Sequence, residues 1–132
     1  MKLLAKITKI EGGAATVDSP EFTLSNHKTL AFLFENAEGT ALTVKVKAAV
    51  EDGEAVPVRF LFAEAGAYSD EYEEVSAEGK EITEARTYLA VLTDRLLAHD
   101  EYDRASVSLS ADAGEIATAY ALQMDPRYTG NE

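Results

Sequence analysis

Two runs of alternating apolar and polar residues stand out along the chain. In TALTVKVKAAV, Leu42, Val44 and Val46 alternate with Thr43, Lys45 and Lys47; in AVPVRFLFA, Val56, Val58, Phe60 and Phe62 alternate with Pro57, Arg59 and Leu61. Apolar residues at every second position put one side-chain face on a core and the other in water, the signature of a half-buried strand. Between the runs lies Glu51-Asp52-Gly53-Glu54, a turn composition in which Gly53 is free to take positive φ. The pattern predicts two antiparallel strands over Thr40–Val50 and Val56–Ala63, with Leu42, Val44, Val46, Val56, Val58, Phe60 and Phe62 inside.

The same reading extends along the chain. Lys2–Ile10 alternates loosely and ends at Gly12-Gly13; Ala14–Val17 reads as a short return strand stopped by Asp18-Ser19-Pro20; Glu21–Leu24 is placed at a strand start or an edge by Pro20. Lys28–Glu35 is apolar on both faces, which predicts a central or covered strand. Tyr72–Val75 and Glu81–Thr83 read as short strands about the turn Glu78-Gly79-Lys80. Residues 84–97 fit a helical stripe (Leu89, Leu92, Leu96) and a strand alike; Thr, Tyr and Val favour a strand over Thr87–Leu92. Thr93 or Asp94 would then cap one short helical turn near residues 94–98. Ala105–Leu109 carries Val107 and Leu109 inward between serines, Asp112–Gly114 turns the chain, and Ile116–Met124 is the last strand. About eight short strands separated by glycine-bearing turns predict an all-β antiparallel sandwich, Ig-like or jelly-roll in type. It divides into an N-terminal strand or arm at 1–24 docked on the domain, the sandwich at 25–128 and a flexible tail at 129–132.

Charge changes this picture where it is uneven. The 132 residues carry 24 acids against 12 bases, net −12. Residues 1–63 are nearly neutral at −1, whereas residues 64–103 carry −9. Such a balance argues against nucleic-acid backbones and anionic membranes, which require basic clusters. There is no cysteine, so disulfide scaffolds, thiolate zinc sites and thiol catalysis are excluded. Lys2 and Lys6 bracket too short an apolar run for a signal peptide, and the chain is expected to stay in the cytosol unless it leaves within something larger.

Candidate chemistry is sparse. His27 and His99 share no ligand spacing and read as exposed loop imidazoles. No serine sits in a nucleophile elbow, and no phosphate-binding glycine loop occurs. The run Ser69-Asp70-Glu71-Tyr72-Glu73-Glu74 offers carboxylates for calcium but lacks the loop spacing of an EF-hand; an outward acidic patch of Asp70, Glu71, Glu73 and Glu74 is the expectation. Tyr102, just before a late strand, fits a tyrosine corner bonding back to Ala98 or His99. No metal, cofactor or enzymatic turnover is expected.

The segments EDGEAVPVRFLFAEAG, EEVSA, TYLAVL, LLAHDEYDRASVSLS and PRY resemble small structural proteins of tailed phages and prophages over roughly Thr40–Tyr128. The resemblance implies a compact β-domain without enzymatic activity, acting as a capsid decoration or cement subunit, or less often as a tail or head-completion part. It carries over no functional residue. The expected partner is the major capsid protein or another virion component, and the expected location is the virion, after assembly in the host cytoplasm. A homo-oligomer, a trimer before a monomer, follows from the same resemblance. Met1–Leu24 lies outside the match and is the expected docking arm, through Lys2, Lys6 and Lys9. The competing class is a carbohydrate-binding or adhesion sandwich, for which Tyr68 and Tyr72 are the exposed aromatics.

Overall fold

The computed structural model describes residues 5–24, 27–36, 40–50, 53–65, 72–93 and 102–126. Every regular element among them is a strand: β1 (Ala5–Ile10), β2 (Gly13–Asp18), β3 (Phe22–Thr23), β4 (His27–Glu35), β5 (Leu42–Ala49), β6 (Val56–Val58), β7 (Phe60–Glu64), β8 (Glu73–Val75), β9 (Lys80–Ile82), β10 (Thr87–Thr93), β11 (Arg104–Ile116) and β12 (Ala119–Pro126). One six-stranded sheet, sheet A, runs β1-β12-β4-β10-β7-β8; the other, sheet B, runs β2-β11-β5-β6, with β3 also on β11 and β9 also on β5. All pairings are antiparallel, and the fold is an antiparallel β-sandwich. The short helical turn expected near 94–98 lies outside the described residues.

The core lies between the sheets. Leu30, Phe32, Phe34, Phe60 and Leu92 enter from sheet A and Val44, Val46, Val107 and Leu109 from sheet B, all essentially without solvent contact. Each such side chain contributes roughly 1.5–3 kcal/mol of burial free energy. Phe34, Phe62 and Tyr88 form an aromatic triangle with centroids 5.3–6.4 Å apart, and Phe22 reaches across to Phe32 at 6.0 Å. Of the inward residues expected from alternation, Val56 is the exception, 41% exposed, because β6 is a three-residue edge strand and Val56 lies at its solvent end.

The chain changes sheet where the pattern shows no break. Val56–Ala63 is two strands: β6 pairs with β5 in sheet B, whereas β7 leaves at Arg59 for β10 in sheet A. Val58 and Phe60 both face the core, so the period of two survives the switch. Gly12-Gly13 is likewise no hairpin turn. β1 pairs with β12 in sheet A and β2 with β11 in sheet B, so residues 5–18 and 104–126 run together as one bent ribbon joining the sheets. Ala14–Val17 is therefore not a return strand. Asp112–Gly114 does not reverse the chain either: β11 continues to Ile116, and the register slips between Ser110 and Glu115 in a bulge. Gly114 and, opposite it, Ala15 take positive φ, 79° and 64°. Gly53 lies outside the left-handed region; a β-carbon there would stand 2.7 Å from Val50 Cγ2, so the Val50 side chain would have to give way.

Two buried amides are satisfied. Asn36 Nδ2 donates to the Thr40 carbonyl at 2.8 Å. Gln123 Nε2, on the inner face of sheet A, donates to the Thr23 carbonyl of β3 at 3.1 Å, which ties the two sheets together where β3 is only two residues long. His27 opens β4 instead of lying in a loop, and its Nδ1 is buried without a hydrogen-bond partner. His99 lies outside the described residues.

Candidate docking surfaces

The residues singled out from sequence are dispersed. Lys6 and Lys9 belong to β1, which is paired with β12 along its whole length; three positions apart on a strand, they point to opposite faces. Lys9 Nζ lies 3.5 Å from Glu11 Oε1. Glu73 and Glu74 also face opposite ways on β8. Glu73 pairs with Lys80 Nζ at 2.8 Å, and Glu74 with Arg59 at 3.1 Å; Lys80 Nζ also sits 5.6 Å from the centroid of Phe62. Half of the proposed acidic patch is thus divided between two faces and paired with cations. Lys2, Asp70 and Glu71 lie outside the described residues, as does Tyr68.

Tyr102 packs against the edge of the core, and both backbone partners expected for it, Ala98 and His99, lie outside the described residues. A corner of that kind occurs at Tyr88, whose hydroxyl donates to the Glu84 carbonyl at 3.2 Å, four residues upstream. Burial raises the Tyr88 phenol above its ordinary value, and the Glu84 and Glu64 carboxylates add to the shift. Arg86 closes this end of sheet A by pairing with Glu64 at 2.9 Å and Glu84 at 3.1 Å. The guanidinium is held still more firmly protonated by its hydrogen bond to Glu64 and the charge of that carboxylate.

The feature missed from sequence is the outer face of sheet A. Strand register sets Ile7, Leu122, Ala31, Val91 and Leu61 side by side in one row, and Tyr120, Leu33, Leu89 and Ala63 in the next, with Lys9 of β1 at the end of that second row beside Tyr120. Five strands span about 19 Å and the rows lie about 7 Å apart. Ala31 and Val91 are buried at its centre, while Ile7 (66% exposed) and Tyr120 (40%) stand out on the β1 side. A shallow pocket of about 240 Å³ adjoins it, lined by Leu33, Phe34, Glu35, Thr87, Thr118 and Tyr120. The signal was present in the two-sided apolar runs Lys28–Glu35 and Thr87–Leu92. It did not reveal that β12 and β1 extend the face with Tyr120 and Ile7.

Sheet B presents the opposite character. Its outer face carries Ser106, Ser108 and Ser110 of β11 beside Lys47, Lys45 and Thr43 of β5. An open groove of about 430 Å³ runs over all of these but Ser106, walled on the β6 side by Ala55 and Pro57. No group of three or more histidine, cysteine or acidic side chains among the described residues is placed to hold a metal. Nor is any helix among them long and apolar enough to cross a membrane.

No protein-family model matches the chain, and no curated protein matches it in sequence. Among solved structures it is similar to the SPBc2 prophage-derived protein YomS, with a TM-score of 0.60 at 12% identity over 95% of this chain and 98% of that one. At this identity the likeness is one of fold, and it covers the whole sandwich. PirA is more distant, at a TM-score of 0.40 and 9% identity over 93% and 95% of the two chains. A carbohydrate-binding module of the β-sandwich superfamily matches at 0.30 and 10% identity, over 95% of this chain and 57% of that one. Neither of these two bears on function.

Proposed function

We propose that this protein is a non-enzymatic structural component of a phage-type particle, most specifically a decoration subunit that docks on the assembled capsid shell. The observation carrying this reading is the end-to-end likeness in fold to a prophage-derived protein of nearly the same extent. The apolar outer face of sheet A supplies the means. A sheet face with exposed Ile7 and Tyr120 is suited to burial against another protein, where an aromatic anchor and a dry centre contribute most of the binding energy. The net charge of −12 keeps such a surface soluble before assembly. In this reading the protein accumulates in the host cytoplasm, acts in the virion, and binds the major capsid protein as repeated copies, as trimers before monomers.

The test is co-sedimentation with purified expanded shells of the matching phage. Wild-type protein is expected to pellet with shells at micromolar concentration, and Ile7→Glu and Tyr120→Glu to remain in the supernatant while keeping a wild-type circular-dichroism spectrum. Wild-type protein that stays in the supernatant with both shells and tails overturns the proposal. Binding to a glycan array in that case supports the carbohydrate-binding class.

A further inference from the structure

The second surface is the groove on sheet B. Every arginine among the described residues is engaged with carboxylates: Arg59 with Glu74, Arg86 with Glu64 and Glu84, and Arg104 with Glu21 and Asp103. Lys80 holds Glu73, and Lys9 lies beside Glu11. Lys45 and Lys47 have no such partner among the described residues, in a chain with 24 acids. Unlike Lys6 and Lys28, they are neighbours on one face of one strand, in a groove shared with the hydroxyls of Thr43, Ser108 and Ser110.

We propose that this groove binds an extended acidic segment of a partner protein, with carboxylates at alternate positions. Residues i and i+2 of a strand project from the same face about 7 Å apart, so Lys45 and Lys47 present two ammonium groups at that repeat. An extended peptide carries its alternate side chains at the same spacing, and the two patterns match in register. Each carboxylate takes a charge-assisted bond from a lysine and retains acceptor capacity for the neighbouring hydroxyls. Ala55 and Pro57 form the groove's apolar wall and lie against the methylenes of the acidic side chains. Asp18, opposite Ser108 on β2, and Glu81, opposite Thr43 on β9, share this face and flank the groove, so attraction for an acidic partner is confined to the two lysines and weakens as salt shortens the screening length to a few Å. This inference stands apart from shell docking, which uses the opposite sheet.

The experiment uses the full chain and a short fluorescein-labelled peptide of alternating glutamate and threonine, read by fluorescence anisotropy. Saturable binding is expected, weakened about tenfold or more by Lys45→Gln/Lys47→Gln and unchanged by Lys6→Gln/Lys28→Gln. A peptide of the same composition with its glutamates in one block is expected to bind less well. Equal loss in both double variants, or no saturable binding at about millimolar peptide, overturns the proposal. Preference for an oligogalacturonate over the peptide overturns it in favour of an acidic polysaccharide. Because these lysines are on the solvent face, circular dichroism separates loss of binding from loss of fold.

Discussion

The backbone of Gly12 lies directly against the carbonyl oxygen of Ile116. A β-carbon on residue 12 would overlap that oxygen and stand 2.9 Å from the Ala117 carbonyl carbon. This is the corner where the paired β1–β2 and β11–β12 segments bend from one sheet into the other, and backbone cannot move aside as a flexible side chain can. Gly12→Ala is therefore expected to cost about 1–3 kcal/mol. Gly13→Ala meets only Val17 Cγ2 at 3.7 Å, an ordinary contact, and is expected to stay within about 0.5 kcal/mol of wild type. Urea unfolding of the two variants decides the matter; equal midpoints would remove the steric account of the corner.

Val56 and Val58 are two residues apart on β6 but differ in environment, 41% and 9% exposed. Val58→Asp places an uncompensated carboxylate between the sheets and is expected to unfold the domain, at about 4 kcal/mol or more. Val56→Asp is expected to cost about 1 kcal/mol or less. Thermal unfolding followed by circular dichroism distinguishes them, and a folded Val58→Asp protein would contradict the placement of the core.

Tyr88 makes stability fall in strong alkali. Its folded phenol holds the proton more tightly than the ordinary value of 10.0, so the neutral form is favoured by folding. The resulting stabilisation is complete below about pH 10 and is lost as the pH rises through the raised folded value, where the phenol ionises while buried. Tyr88→Phe removes the bond to Glu84 and is expected to cost about 1 kcal/mol at neutral pH. It is also expected to lose less stability than wild type between neutral and strongly alkaline pH. Urea midpoints at neutral and alkaline pH measure this; parallel losses in the two proteins would refute it.

Calcium is expected to change thermal stability little, because Glu73 and Glu74 diverge on β8 and each has its own cation. A large rise in melting temperature with calcium, reversed by EDTA, would reveal a site that selectively binds the folded state.

Alternation established most of the strands and of their inward residues, because burying one face of a strand imposes a period of two whatever its partners are; over Thr87–Leu92 residue propensity had to decide. Leu42, Val44, Val46, Val58, Phe60, Phe62, Val107 and Leu109 were legible in this way and are all buried. Sheet membership was not legible. In a sandwich both sheets face one core, so Val58 and Phe60 keep the same alternation although they belong to different sheets. The corner at Gly12 and the bulge at 111–114 look like turns in the sequence for the same reason: glycine marks where the backbone departs from a regular strand, not whether the chain then reverses or continues. The surfaces depended on tertiary structure most of all. Only long-range register sets Ile7 beside Leu122 and Tyr120 beside Leu33, assembling one apolar face from both ends of the chain. Register likewise brings Arg59 within reach of Glu74 and leaves Lys45 and Lys47 beside serines some sixty residues away in β11. Composition determined the charge of the molecule; strand order determined which charges are neutralised within the fold and which remain open to a partner.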